Sequence, residues 1–307
     1  MQEYEHKQEF DTRYQYQKKK INRLQWVMRL MGLGGFILMP VLIAVTGHAL
    51  GILVVVYGAI ALAARALNRK INSIQDEFKT LNSYTAMETL DQGLSSVKEY
   101  SPFSMMRKED IDRVMIPGVW HDVTGSDFVE GAYKGVPLRF SDVKMVYYVE
   151  DKDGEAHPKT TFAGQVFALR MKTPVNGKVW IGRFLDNESP MLTRAAYEKR
   201  VGTAVTNVAA LERQSIFASN TEAAAQILTD EYTGKLRQAC NRGDGTLFLC
   251  FDGDTLYGAK DNRRDLFENK DEQDWETMKN SDQRELDRFL ELIDCLSDNP
   301  ALFDRTN

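Results

Sequence analysis

The stretch Leu30–Ala64 constrains this chain more than any other, because it runs for about 35 residues without a Lys, Arg, Asp or Glu. A helix needs about 20 apolar residues to cross a bilayer, so the stretch is too long for one ordinary span and long enough for two short ones. Thr46-Gly47-His48 interrupts it with residues that disfavour a helix. We therefore predict a transmembrane hairpin of Trp26–Val45 and Ala49–Ala64. The alternative is a buried core hairpin of a soluble protein.

The charges on either side of this hairpin predict its orientation. The turn between the two spans carries no Lys or Arg. Basic residues flank the hairpin on both sides: Lys18, Lys19, Lys20, Arg23 and Arg29 before it, and Arg65, Arg69 and Lys70 after it. Because basic residues remain on the cytoplasmic side of a membrane, both termini are expected in the cytoplasm.

The composition of the chain agrees with that compartment. Three cysteines, Cys240, Cys250 and Cys295, show no metal-ligand spacing, and unpaired thiols suit a reducing compartment. The net charge is −5. A nucleic-acid partner is therefore not expected, since binding one requires a concentrated basic surface.

Four segments follow from these patterns. Residues 1–25 form a charged juxtamembrane arm, and residues 26–66 form the hairpin. Residues 67–100 are predicted to be a helical stalk, because apolar side chains recur there at spacings of three and four. Residues 101–307 form a cytoplasmic α+β domain with two subhalves, about 101–188 and 189–307. We expect this domain to fold without the anchor.

The first subhalf has the alternation of a four-strand antiparallel meander. The predicted strands are Phe128–Tyr133, Val136–Glu150, Thr160–Lys172 and Lys178–Phe184. A helical segment, Pro190–Val208, then leads into the second subhalf.

The second subhalf is predicted as strand, helix, strand, strand and final helix. RQSIFAS is a short strand, and Asn220 or Thr221 caps the helix TEAAAQILTDEYTGKLRQAC. Asp252-Gly253-Asp254 is a hairpin signal between TLFLCF and TLYGAK. The final helix is predicted at Gln283–Leu296, where an apolar stripe recurs.

Four segments in this order resemble a bacterial membrane-protein family known as the domain of unknown function numbered 3137. They are EGAYKGVPLRFSDV, TTFAGQVFAL, SIFASNTEAAAQILTDEY and FDGDTLYGAKDNRRDLFE, over roughly residues 98–270. The resemblance implies a bacterial inner-membrane protein with a cytoplasmic α+β domain. It carries over no catalytic residue.

The sequence predicts no catalytic, cofactor-binding or metal-binding residues. The four histidines lie in different regions, and no GxSxG, Walker A or GxGxxG motif is present. The basic and apolar segment that follows the last strand is a candidate interaction surface, formed by Arg263, Arg264 and Phe267. Its alternative is an ordinary solvated turn.

Two functions remain open at this point. The first is a membrane-anchored, non-enzymatic interaction or scaffold protein that contacts the lipid bilayer and an anionic lipid or a membrane-protein partner. The second is a membrane-bound hydrolase or transferase with a site not visible in the sequence. The absence of a clustered acid, base and nucleophile favours the first. Homo-oligomers are compatible with either.

Overall fold

A computed structural model describes residues 12–13, 16–30, 49–118, 120–152, 154–183, 206–211, 214–243, 245–267 and 275–306. The chain divides into two compact units. Unit 1 comprises Met1–Thr85 and Lys270–Met278, and unit 2 comprises Ala86–Asn269 and Lys279–Asn307.

Unit 1 contains helix α1, residues 16–30, and most of helix α2, Ala49–Gly93. The second predicted span is therefore helical, as the start of α2. Residues 31–48, which include most of the first predicted span, lie outside the described residues, as do the side chains of residues 49–57. In the part of the chain that is described, no helix is both long and apolar enough to cross a membrane. The transmembrane hairpin is not supported by the structure and stays a prediction.

Unit 2 is a mixed α+β unit built on an antiparallel sheet of seven strands, as the predicted α+β class requires. The strands are β1 Ser96–Ser101, β2 Asp122–Tyr133, β3 Val136–Glu150, β4 Ala156–Gly182, β5 Thr206–Leu211, β6 Gln214–Ala218 and β7 Thr246–Asp261. The helices are α3 Lys108–Val114, α4 Thr221–Ile227, α5 Asp230–Asn241 and α6 Trp275–Ser297, of which α6 begins in unit 1.

Strand β4 is the centre of the sheet. The strand order is β1-β2-β3-β4-β6-β5, and β7 pairs with β4 as well. One edge of β4 pairs first with β3 and then with β6, while its other edge pairs with β7 from Gly164 to Ile181. Strands from both predicted subhalves therefore join in one sheet.

Buried side chains cover both faces of the sheet. Successive side chains of β4 point to opposite faces, so this strand contributes to a core on each side. Phe167 and Leu169 belong to the larger core, which also includes side chains of α4, α5 and α6. Val166 and Trp180 belong to a second core that contains residues of α3. Each face is thus dry, and polar residues buried inside the unit need partners there.

The predicted third and fourth strands are one strand, and this is a correction to the predicted meander. Asn176-Gly177 lies inside β4, and the predicted hairpin at Asp252-Gly253-Asp254 lies inside β7. These two sites face each other: Val175 pairs with Gly253 and Lys178 with Asp252, so Asn176-Gly177 forms a bulge. Gly177 has φ +132° and Gly253 has φ +59°, conformations that glycine adopts readily in bulges as well as in turns.

The turn between β2 and β3 follows the sequence prediction. Lys134 and Gly135 both have positive φ, as a two-residue type I′ hairpin turn requires. Tyr133 pairs with Val136 across this turn. The predicted bounds of Val136–Glu150 are those of β3. The strand predicted at RQSIFAS is β6.

The predicted helix over 221–240 is two helices. Asn220 caps α4 through a hydrogen bond from Ala223 N, as predicted. Thr229 caps α5 by accepting from Tyr232 N, so a second helix begins there. Strand β1 and helix α3 were not predicted. Within Pro190–Val208, residues 206–208 are strand rather than helix, and residues 190–205 lie outside the described residues.

Candidate functional site

The structure separates the three residues of the predicted interaction surface. Arg263 and Arg264 are exposed on the loop that follows β7. Phe267 is only 4% exposed and packs edge-on against Tyr100, with ring centroids 6.1 Å apart. Phe267 belongs to the core because the chain turns inward at Leu266, so the exposed part of the surface reduces to the two arginines.

A cavity of about 300 Å³ opens beside Arg264 in unit 2, and we name it the Arg264 cavity. Its walls come from β4, β7, the loop after β7, α6 and the end of α5. The wall residues are Gln165, Arg242, Gly243, Lys260, Asn262, Arg264, Leu266, Glu285, Arg288, Phe289, Glu291 and Leu292.

The strand side of the cavity is fixed by the sheet. Gln165 on β4 and Lys260 on β7 are cross-strand partners, so their side chains lie side by side on one face. Both side chains are buried, with Lys260 6% exposed. The Lys260 ammonium donates to Arg242 O at 2.9 Å, which joins β7 to the segment after α5.

The amide of Gln165 holds the loop that carries Arg264. Its nitrogen donates to Asp142 Oδ1 at 2.8 Å and to Arg264 O at 2.9 Å. Its oxygen accepts from Asn262 Nδ2 at 2.8 Å. The loop is therefore tied to the sheet by a buried side chain, and Arg264 is presented from a fixed backbone.

Arg263 is tied to the sheet edge as well. Its guanidinium donates to Thr160 O and Thr161 O at 3.4 and 3.3 Å, and its Nε lies 3.1 Å from an Asp261 carboxylate oxygen. Its φ is +57°, in the left-handed region. The two arginines therefore form a basic edge on a well-anchored loop.

Ion pairs along α6 join the two sides of the cavity. Arg264 Nη1 lies 3.6 Å from Glu285 Oε2, and Arg288 Nη1 lies 2.5 Å from Glu285 Oε1. Glu291 pairs with Arg242 Nη2 at 3.1 Å. Four basic and two acidic side chains line the cavity, so its walls carry a net charge of +2.

Three aspartates meet behind this loop. Asp127, Asp142 and Asp265 each offer a carboxylate oxygen, and these oxygens lie within 4.8 Å of one another. Tyr100 donates to Asp127 Oδ1 at 2.8 Å, and Leu266 N donates to Asp142 Oδ2 at 3.0 Å. Oxygens of this kind suit hard cations such as Mg²⁺ or Ca²⁺, and they equally suit the sharing of a proton.

Burial raises the pKa of Asp142 well above its ordinary value, and the neighbouring charge of Asp265 raises it further. Hydrogen bonds from Gln165 and Leu266 act in the opposite direction. Burial and Asp127 likewise raise the pKa of the Tyr100 hydroxyl, which stays protonated as a donor. Burial and the charge of Asp265 thus favour the protonated form of Asp142.

This raised pKa predicts a pH dependence of stability. The folded state binds the Asp142 proton more tightly than the unfolded state, whose pKa is near 3.8. The free energy of unfolding should therefore fall as pH rises from about 4 through the raised pKa, by at most about 1.4 kcal/mol per pH unit. Urea titrations followed by tryptophan fluorescence, to which the buried Trp180 contributes, should show this fall in the wild type and a smaller one in Asp142→Asn. Equal pH slopes in the two proteins would contradict the assignment.

A second acidic group is exposed. Asp151, Glu155 and His157 lie close together near the connection of β3 to β4, and His157 Nε2 is 2.7 Å from Asp151 Oδ2. Neither acidic group was predicted from the sequence. Asp127 and Asp142 lie on the two arms of the β2–β3 hairpin, whereas Asp265 comes from the distant loop after β7, so no local spacing indicates all three. A carboxylate in the middle of the apolar strand β3, at Asp142, was the one available signal.

The fold of unit 2 belongs to the α+β class, with helices packed on an antiparallel sheet. Residues 160–297 match the model of the family described as "Protein of unknown function (DUF3137)". For residues 160–297, the match confirms the resemblance to this family that the sequence segments indicate. It begins at β4 and extends through α6.

Two further comparisons concern whole proteins. No curated protein matches the chain. The crystal structure of the mycobacterial trehalose monomycolate transport factor A, TtfA, is similar with a TM-score of 0.35 and 14% identity, over 71% of this chain and 97% of TtfA. A likeness of that size carries no argument about function.

Proposed function

We propose that this chain is a membrane-anchored, non-enzymatic binding protein that contacts an anionic lipid headgroup through the Arg263-Arg264 loop. The observation that carries the proposal is the anchoring of that loop: Gln165 bonds the backbone carbonyl of Arg264, and β4 carbonyls accept from the Arg263 guanidinium, beside a cavity of net positive charge. One guanidinium group can donate two parallel hydrogen bonds to the oxygens of a phosphate. Two arginines on an anchored loop therefore suit a phospholipid headgroup.

The anchor is the apolar run Leu30–Ala64. Exposed large apolar side chains within the run and just before it support this assignment: Leu30 is 45% exposed and Leu62 72%, and Trp26, before the run, is 62% exposed. Apolar side chains left in contact with water in this way suit a lipid environment, and Trp is typical of the interface between membrane and water. The basic residues on both flanks favour a cytoplasmic position for unit 2 in a bacterial inner membrane.

The charged side chains around the Arg264 cavity suit the binding of an anion. The described residues that line it include four basic and two acidic side chains, and the acidic ones are Glu285 and Glu291. Its two glutamates contact arginines within the cavity wall. These groups are arranged to hold a charge in place.

Charge reversal of the loop tests the proposal. In Arg263→Glu/Arg264→Glu, we expect the full chain to retain far less phosphatidylglycerol after purification in a mild detergent. Each basic residue near an anionic surface is worth about 1 kcal/mol, so losing two weakens binding by about thirtyfold or more. Lipid retained per chain is measured by mass spectrometry.

The matched control is Lys152→Glu/Lys159→Glu, which makes the same change of charge at two exposed positions in unit 2. It should retain lipid as the wild type does. Equal retention by all three proteins, with unit 2 folded, would show that the Arg263-Arg264 loop is not the lipid contact.

A further inference from the structure

The Arg264 cavity has the size and the mixed lining of a small-molecule site. Its volume of about 300 Å³ is at the small end of the range of ligand pockets. Such pockets combine apolar walls with a few fixed polar groups. Here Leu266, Phe289 and Leu292 supply the apolar part, each 5% exposed or less.

The polar part of the lining is basic. Lys260 is buried on β7, Arg264 projects from the loop, and Arg288 lies on α6. These three side chains approach the cavity from three different elements, so an anion inside it can contact more than one of them. The net charge of +2 on the walls is complementary to a phosphomonoester, which carries about −1.5 to −2 near pH 7.

The basic groups are also held in position before a ligand arrives. Lys260 is fixed by the β4–β7 pairing and by its bond to Arg242 O. The backbone of Arg264 is fixed by the Gln165 amide, which bonds its carbonyl oxygen, and its guanidinium lies 3.6 Å from Glu285 on α6. Preorganised donors bind an anion at a smaller cost in conformational entropy than mobile ones.

We propose that the Arg264 cavity binds a small amphiphilic phosphomonoester. Its phosphate contacts Lys260, Arg264 and Arg288, and its short apolar part lies on Phe289 and Leu292. This inference rests on the proposed function and deepens it, since it names the ligand class of the same basic region. The phosphate belongs either to a soluble metabolite or to the headgroup of a membrane lipid.

Calorimetry on the full chain in mild detergent tests the inference, with hexyl phosphate, inorganic phosphate and hexanol as probes. Hexyl phosphate should bind saturably and more tightly than phosphate, because only hexyl phosphate fills both parts of the cavity. Hexanol should not bind, since it lacks the charge. Lys260→Met should weaken hexyl phosphate binding by tenfold or more.

Arg288→Gln provides a second variant, because the Arg288 side chain is 58% exposed and its replacement leaves the core intact. It should also lose tenfold or more in affinity. Lys235→Met, which removes a partly buried lysine that is paired with Asp298 and does not line the cavity, should bind as the wild type does. Absence of saturable hexyl phosphate binding, or unchanged binding in both cavity variants, overturns the inference.

Micelles that contain phosphatidic acid distinguish the two sources of the phosphate. Displacement of bound hexyl phosphate by these micelles assigns the cavity to a lipid headgroup, and no displacement assigns it to a soluble phosphomonoester. Failure of the proposed function looks different. In that case charge reversal at Arg263 and Arg264 leaves phosphatidylglycerol retention unchanged, whatever happens to hexyl phosphate.

Discussion

Replacing Gly258 by alanine should destabilise unit 2 by about 3 kcal/mol, at the upper end of the range for overpacked cores. A Cβ atom at this position of β7 would lie 2.1 Å from Cζ of Phe167 and 2.4 Å from its Cε2. No exposed space accommodates the ring, because Phe167 is fully buried.

The ring of Phe167 cannot move aside alone. It packs edge-on against Phe289 at 5.7 Å between centroids, and Phe289 packs against Phe140 at 4.8 Å. A shift of one ring therefore displaces all three, or separates β7 from β4 where Phe167 and Gly258 are paired. Either route loses close packing in the larger core.

Gly234→Ala is the matched control for this substitution. Gly234 lies inside α5, and nothing lies within 4 Å of a Cβ built there. The change should stabilise the unit by about 0.5–1 kcal/mol, since glycine disfavours a helix interior. Urea unfolding of the full chain measures both variants. A Gly258→Ala protein within about 1 kcal/mol of the wild type would contradict the described packing of β4 on β7.

The long strands β4 and β7 show why local signals predicted too many strands. Asn-Gly and Asp-Gly dipeptides favour a positive φ, which both a hairpin turn and a bulge require. Whether the chain reverses or continues depends on the strand opposite. Here each dipeptide meets the other across the β4–β7 pair, a contact between distant segments.

The second helix start, at Thr229, has a signal in the sequence that the prediction of one long helix did not use. A threonine followed by Asp230 and Glu231 has the cap and the acidic first turn that begin a helix. Tyr232 then reaches across the core to donate to Leu296 O at 2.6 Å. The continuous apolar pattern concealed this break.

The end of α2 and the residue Leu94 after it contribute side chains to the larger core of unit 2. Ala86 and Leu90 are fully buried in the larger core, and Leu94 follows them there. A shortened chain that begins near Ser96 would lack all three side chains. Removal of a buried leucine alone costs about 2–5 kcal/mol, so independent folding of the unit requires the chain from Ala86 onward.

The candidate site was predictable only in part. Arg263 and Arg264 are exposed, as a basic turn predicts, whereas Phe267 is buried because it meets Tyr100 from a distant strand. The cavity beside them depends on β4, α5 and α6 converging on one place. No sequence pattern reports such a convergence, since it arises from the fold.

We propose that unit 2 lies at the cytoplasmic face of a membrane. This placement depends on the uncharged run Leu30–Ala64 and on the basic residues that flank it, against none in the turn at Gly47. Each charged residue at a helix centre costs a few kcal/mol to insert, so a run without any is compatible with the bilayer. An impermeant reagent should label a cysteine on the outer side of the membrane in intact cells, and it should not label one on the cytoplasmic side.

Labelling of single cysteines with a membrane-impermeant maleimide in intact cells tests this claim most directly. Lys152 is exposed in unit 2, and the native Cys240, Cys250 and Cys295 are buried, so they add little background. We predict that Gly47→Cys is labelled in intact cells and that Lys152→Cys is labelled only after the cells are permeabilised. Labelling of Lys152→Cys but not of Gly47→Cys in intact cells would contradict the account.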